Sequence, residues 1–221
     1  KVIYFSKPKY IRKISFNKKY FRYLNNEIKG LKWYSKICKK KNDLIKFNNK
    51  DNIFYLDIKF FEGEKNIFYK SIVQNESILN KAIDHYVDVW PRKKKVRCHG
   101  DLTIDNIIYS KNSINFIDWE LSGLSKEVWG YDLLYLLISS IFFSYDIKNK
   151  VDKNEKIIFQ KLWNKLKKLN ISKTILSDPI SFFKKIHKKK NWRDAISDHP
   201  NKIYPISINN KFKITLKELI R

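Results

Sequence analysis

A two-lobed α+β architecture is expected, with a small strand-rich N-lobe at 1–63 and a larger helical C-lobe at 64–221. Three observations predict it. Up to Phe61 the chain carries short runs of apolar residues around one long helical stretch. After Trp119 the apolar residues fall mainly at helical spacing. Between them, Val96 to Trp119 changes character, with short strand-like runs interrupted by polar residues at fixed places.

Taken in order, residues 2 to 16 alternate loosely and predict a strand pair with Pro8 near the turn. Residues 18 to 38 predict a helix, because Leu24, Ile28, Leu31 and Ser35 share a face. The Lys/Asn-rich segment 39–52 reads as a turn, followed by short strands at Ile53 to Leu56 and Ile58 to Phe61, stopped by Glu62 and Gly63. The lobe boundary is expected between Phe61 and Lys65. Residues 76 to 90 predict a second helix ended by Pro91, and Arg92 to Lys95 a solvated loop. Further helices are expected at 126–145, 155–169 and 177–190, the second of them with Ile158, Leu162, Leu166 and Leu169 on one stripe.

Composition bounds the function. A hydrophobic fraction of 43% is enough to build a core and excludes disorder throughout. Lys plus Arg number 47 against 22 Asp plus Glu, a formal charge of +25. Lysine, asparagine and isoleucine are abundant together while glycine is scarce, so the charge reads as compositional bias and no specific nucleic-acid partner is expected. Two cysteines, Cys38 and Cys98, lack metal-ligand spacing and exclude a disulfide scaffold. With no secretory signal in the first residues, a cytoplasmic location is expected. The chain has no methionine, and the natural start is expected upstream. The most apolar stretch, Leu133 to Phe143, falls short of the ~20 residues a bilayer requires. His85, His187 and His199 read as surface or capping residues, and Trp129, Trp163 and Trp192 as core.

The chemistry is concentrated in Cys98-His99-Gly100-Asp101-Leu102-Thr103-Ile104-Asp105-Asn106 and in Ile114-Asn115-Phe116-Ile117-Asp118-Trp119-Glu120. Pairing Ile107–Tyr109 with Ile114–Ile117 as a hairpin returns Asp118 close to Asn106, and Asp101 faces the same spot from its loop. Three oxygen-bearing side chains then converge. Mg²⁺ is a hard ion that takes carboxylate, amide and phosphate oxygens, so Asn106 and Asp118 are the expected metal ligands for phosphoryl transfer from ATP. Asp101 is the expected catalytic base for an acceptor hydroxyl. His99 is grouped with it in the catalytic loop, as the residue that braces that loop.

The run HGDLTIDNIIY with NFIDWELSG resembles the aminoglycoside phosphotransferase and choline kinase group, relatives of the protein kinases. The resemblance implies a protein-kinase-like fold, ATP and Mg²⁺ as cofactors, and a small molecule bearing a hydroxyl as substrate. It implies that Asp132, in Gly130-Tyr131-Asp132-Leu133-Leu134, is a structural brace. It also implies a nucleotide site built from an N-lobe lysine, its glutamate partner on the next helix, and a hinge. Lys13 with Glu27 and the segment Phe61-Glu62-Gly63 occupy those places, with Arg12 and Lys9 as alternative cations. The family's glycine-rich phosphate loop is missing, the first glycine being Gly30. The lysine-dominated helical half favours a neutral or anionic acceptor. A reading of a different class is a catalytically weak kinase-like protein that binds a polyanion or a protein partner through its basic surface.

Overall fold

Strand β2 (Tyr10–Ser15) is the axis of the small lobe, pairing antiparallel with β1 (Val2–Lys7) on one side and β4 (Ile53–Lys59) on the other. The computed structural model describes residues 2–7, 10–39, 45–50, 53–59, 64–65, 71–110, 113–198 and 210–221. The sheet is completed by β3 (Ile45–Lys50), in the order β1-β2-β4-β3. Helix α1 (Lys18–Ile37) packs on β2 and β4, burying Leu24, Ile28, Leu31 and Ser35 as the periodicity requires.

Two expectations for this lobe are corrected. Residues 45–50 form a strand where a turn is expected, because Ile-Lys-Phe-Asn-Asn-Lys hides its pairing with β4 behind polar residues of low strand propensity. Residues 53–59 form one strand rather than two, and Asp57 does not interrupt it. Asp57 lies opposite Arg12 in the β2–β4 register, and the guanidinium donates Nε to Oδ1 at 2.6 Å and a terminal nitrogen to Oδ2 at 2.7 Å.

A second sheet is formed by β5 (Glu64–Lys65), which pairs with β7 (Ile107–Ser110), and by β8 (Ser113–Phe116), which pairs in turn with β7. Helix α2 (Glu76–Val89) precedes β6 (Val96–Arg97), which pairs with β9 (Lys126–Glu127) and so closes residues 98–125 into a loop clasped at its ends. The β9 pairing and the positive φ of Gly130, +90°, delay the next helix past the expected residue 126. That helix, α3 (Tyr131–Lys148), is buried on every face from Tyr131 to Tyr145, which explains the apolar run from Leu133 as a central core helix rather than an amphipathic one.

Helix α4 (Lys153–Lys167) packs on α3 and opens with a capping box. The Asp152 side chain accepts from the Glu155 amide at 2.9 Å, and Glu155 accepts from the Asp152 amide at 3.0 Å. The expected helix at 177–190 is two helices beyond α5 (Lys173–Ser177): α6 (Pro179–His187), which opens on Pro179, and α7 (Lys190–Asp198). Helix α8 (Asn210–Ile220) returns to α4. No helix among the described residues is long and apolar enough to cross a membrane.

Candidate active site

The β7–β8 hairpin sets Ile107 opposite Phe116 and Ser110 opposite Ser113, and one further bond, from the Ile117 amide to the Asn106 carbonyl at 3.0 Å, extends the ladder past β8. The chain then turns sharply at Asp118, whose φ is +61°. Such a conformation is costly for a residue with a side chain, and the surroundings hold it. Trp119, fully buried, donates Nε1 to the Phe116 carbonyl at 2.8 Å. It is packed among Trp33, Tyr34, Trp90 and His99.

The loop before β7 is held from below by Asp132, at the start of α3. Its two carboxylate oxygens accept from the amides of His99 at 2.9 Å and Gly100 at 3.1 Å. Burial pushes the Asp132 carboxyl up to about 7 against the lowering effect of those two amides. Gly100 is required where it stands: its φ is +95°, and a Cβ there would meet the Leu121 carbonyl oxygen at 2.6 Å. His99 is fully buried, and burial lowers its imidazole to about 4, so the ring is neutral. Its Nε2 donates to the Ile117 carbonyl at 2.8 Å and its Nδ1 accepts from the Asp101 amide at 3.4 Å. A neutral ring bonded at both nitrogens braces the loop to the hairpin.

Asp101 and Asn106 are in direct contact. The Asn106 amide nitrogen donates to the Asp101 carbonyl at 2.7 Å and lies 3.5 Å from Asp101 Oδ2. With its nitrogen turned that way, the Asn106 Oδ1 is the atom that remains to meet a cation. Asp118 is joined to this pair through Ile117, which bonds Asn106 and His99.

From the small lobe, Lys13 of β2 enters the same place. Its buried Nζ donates to Glu27 of α1, lies 2.8 Å from Asp118 Oδ1 and 3.5 Å from Glu120 Oε1. Burial acts to lower the lysine, but the charges and hydrogen bonds of Asp118 and Glu27 prevail and hold it above the ordinary range. Of the candidates within the described residues, Lys13 is the one that meets these carboxylates and Arg12 is engaged by Asp57; Lys9 lies outside the described residues. Phe61, Glu62 and Gly63, the expected hinge, also lie outside them.

Sequence reasoning missed Glu120. Its signal is the alternation Asp118-Trp119-Glu120, in which a buried tryptophan separates two carboxylates that come to the same side. Glu27, Asp118 and Glu120 each offer an oxygen within 4.8 Å of one another. The carboxylate oxygens gathered around Lys13 are hard donors of the kind a divalent cation takes, and these residues fit one.

The histidine readings divide. His187 is buried rather than a surface residue, 4% exposed and stacked near Phe183 and Trp192. His85 is half-buried, its Nε2 2.6 Å from the Tyr34 hydroxyl. His199 lies outside the described residues. Trp163 and Trp192 are core residues, and Cys98 is fully buried.

Residues 64–148 match the model of the family described as the phosphotransferase enzyme family, APH. That match covers the loop before β7, the hairpin and α3, and it bears out the resemblance carried by the HGDLTIDNIIY and NFIDWELSG motifs. No curated protein matches the chain. Among solved structures, the chain is similar to the GDP and kanamycin complex of APH(2")-IIia, at 12% identity and a TM-score of 0.37, with 88% of each chain covered. It is also similar to the amicoumacin kinase hAmiN in complex with AMP-PNP, Ca²⁺ and Ami, at 12% identity and a TM-score of 0.46, covering 96% of this chain and 80% of that one.

Proposed function

We propose that the chain is a small-molecule phosphotransferase that moves the γ-phosphoryl group of ATP to an acceptor hydroxyl. The observation that carries this reading is the meeting of Lys13 with Asp118 beside the braced Asp101–Asn106 loop. A buried cation among carboxylate oxygens, with a further carboxylate on the loop joined to the same hairpin, supports it, because phosphoryl transfer draws on such groups. The family match at 64–148 supports the same class.

In this reading Lys13 binds the nucleotide phosphates, and Glu27 keeps its ammonium in place. Asn106 and Asp118 would hold Mg²⁺, which would supply charge neutralisation at the phosphate oxygens. Asp101 orients the acceptor hydroxyl and takes its proton as the acceptor oxygen bonds to the γ-phosphorus. The bond from that phosphorus to the β,γ-bridging oxygen breaks, and the electron pair leaves with ADP. His99 and Asp132 take no proton; they fix the backbone of the loop that carries Asp101. The acceptor class is a neutral or anionic small molecule, in keeping with the lysine-rich helical lobe.

The test is Mg·ATP turnover by the full chain on a panel of sugars, sugar phosphates, amino alcohols and aminoglycosides, beside Asp101→Ala. Acceptor-dependent ADP release by the parent, lost in the variant, is expected. Equal transfer by both removes Asp101 from its role.

A further inference from the structure

Helix α1 buries a stripe at helical spacing, Tyr23, Glu27, Gly30 and Tyr34, and three of its four members touch the large lobe. The Tyr34 ring lies against Trp119 and Phe116, with centroids 4.9 and 5.7 Å away. Gly30 sits where a Cβ would meet the Cβ atoms of Trp119 and Ser122 at 2.8 Å, so the helix backbone rests directly on the turn after Asp118. Tyr23 donates its hydroxyl to Asp198 Oδ2 at 2.6 Å. Arg22 donates to the same oxygen at 2.5 Å and covers the Tyr23 ring at 4.7 Å. Asp198 ends α7, and its side chain is 5% exposed. Glu27 lies between these attachments, one turn beyond Tyr23 and just before Gly30.

We infer that Tyr23 and Asp198 are positioning residues, whose contact fixes the rotation of α1 about its axis and thereby the placement of Glu27 against Lys13. Within the small lobe α1 is held by its packing on β2 and β4, with Phe21 stacked on Phe54 at 4.5 Å; against the large lobe, Gly30 and Tyr34 seat its C-terminal half. One residue of helical rotation is about 100°, enough to carry Glu27 off the lysine. The bond to α7 adds an attachment to the large lobe on the side of Glu27 where Gly30 does not act, and so sets the turn of α1 against the site. It lies beside an open cleft of about 480 Å³, lined by Lys18, Arg22, Asp194, Ser197 and Asp198, so its removal leaves the apolar core intact. The effect on turnover rests on the phosphotransferase reading; the effect on α1 does not.

Two measurements on the full chain test the inference, each comparing the parent with Tyr23→Phe, which keeps the ring, and with Asp198→Ala. The first is site-resolved hydrogen exchange without nucleotide at residues 24–31 of α1 and 133–143 of α3. Asp198→Ala, which releases both Tyr23 and Arg22, is expected to exchange about tenfold faster in α1 with α3 unchanged, and Tyr23→Phe, which keeps the Arg22–Asp198 contact, to exchange faster by a smaller factor. Unchanged exchange in α1, or the same acceleration in both helices, overturns the proposal, the latter because it marks a contact of general structural weight only. The second is the Mg·ATP assay, in which kcat/KM for nucleotide is expected to fall about tenfold at constant acceptor KM. Parent-like nucleotide kinetics in both variants overturn the proposal. A parent that transfers no phosphoryl group overturns the phosphotransferase reading alone, and hydrogen exchange then decides the role of Tyr23 and Asp198.

Discussion

Lys13 and Asp118 meet at 2.8 Å across 105 residues of chain, the lysine from the small lobe and the aspartate from the large one. Both are held there by independent means: Lys13 by its place on β2 and by Glu27, Asp118 by the strained turn that ends the hairpin. The ammonium is the counter-charge that lets Glu27, Asp118 and Glu120 stand close together.

Lys13→Met therefore leaves clustered carboxylates without that cation and should destabilise the fold by about 3–5 kcal/mol, the usual cost of breaking a buried pair from one side. Urea unfolding measures it. Millimolar Mg²⁺ should restore part of the loss in this variant and stabilise it more than it does the parent; a variant indifferent to Mg²⁺ would count against an oxygen-donor cradle at this spot.

Asp101→Asn keeps the shape of the side chain and removes its basicity. Turnover should fall roughly 10²- to 10⁴-fold, the range for loss of a general base, with nucleotide binding and melting temperature close to the parent's. Steady-state kinetics and a thermal shift with Mg·ATP give both readings; an unaltered kcat would transfer the base role elsewhere.

Gly100→Ala should lose about 1–3 kcal/mol from the backbone conformation alone, and more from the close approach to the Leu121 carbonyl. Because Gly100 donates its amide to Asp132, the same change should also loosen the loop that carries Asp101. Chemical denaturation reads the first effect, and exchange of the His99 and Gly100 amides the second.

His187 gives a pH prediction with a definite sign. Burial lowers its imidazole to about 4 from an ordinary 6.5. The unfolded chain then binds the proton more readily, so the stability from this group is complete above pH 6.5 and is lost as pH falls toward 4. His99 behaves the same way. Asp132, raised to about 7, runs oppositely, its contribution fading as pH rises from about 4 to 7. His187→Gln isolates one group: between pH 4.5 and 6 its stability relative to the parent should change by about 1.4 kcal/mol per pH unit. Parallel stability curves for parent and variant would show that His187 titrates normally.

The parts of this molecule legible in sequence are those written locally. The buried stripe of α1 follows from spacing, and the β7–β8 hairpin from two apolar runs around a polar turn. The Asp101–Asn106 contact follows from residues a few positions apart. What sequence hides is pairing between distant segments. β3 is disguised by its lysines and asparagines and exists because β4 lies beside it. Asp57 resembles a strand breaker until Arg12 is seen opposite it. Glu120 acquires its place only when Lys13 arrives from the other lobe, and nothing near Glu120 in sequence announces that lysine. His187, in a lysine-rich run, becomes a core residue only because Tyr131 and Trp192 fold over it.

The clasp of β6 on β9 implies an order of assembly. Inside it, Asp101 and Asn106 are 5 residues apart, and His99 and Ile117 are 18 apart, short closures with little chain entropy to overcome. The Lys13–Asp118 contact must wait until the lobes dock, since contacts far apart along the chain are entropically expensive to close. A refolding molecule thus shapes its loop before receiving its lysine, and catalytic competence should be the last property to return after denaturant is diluted away.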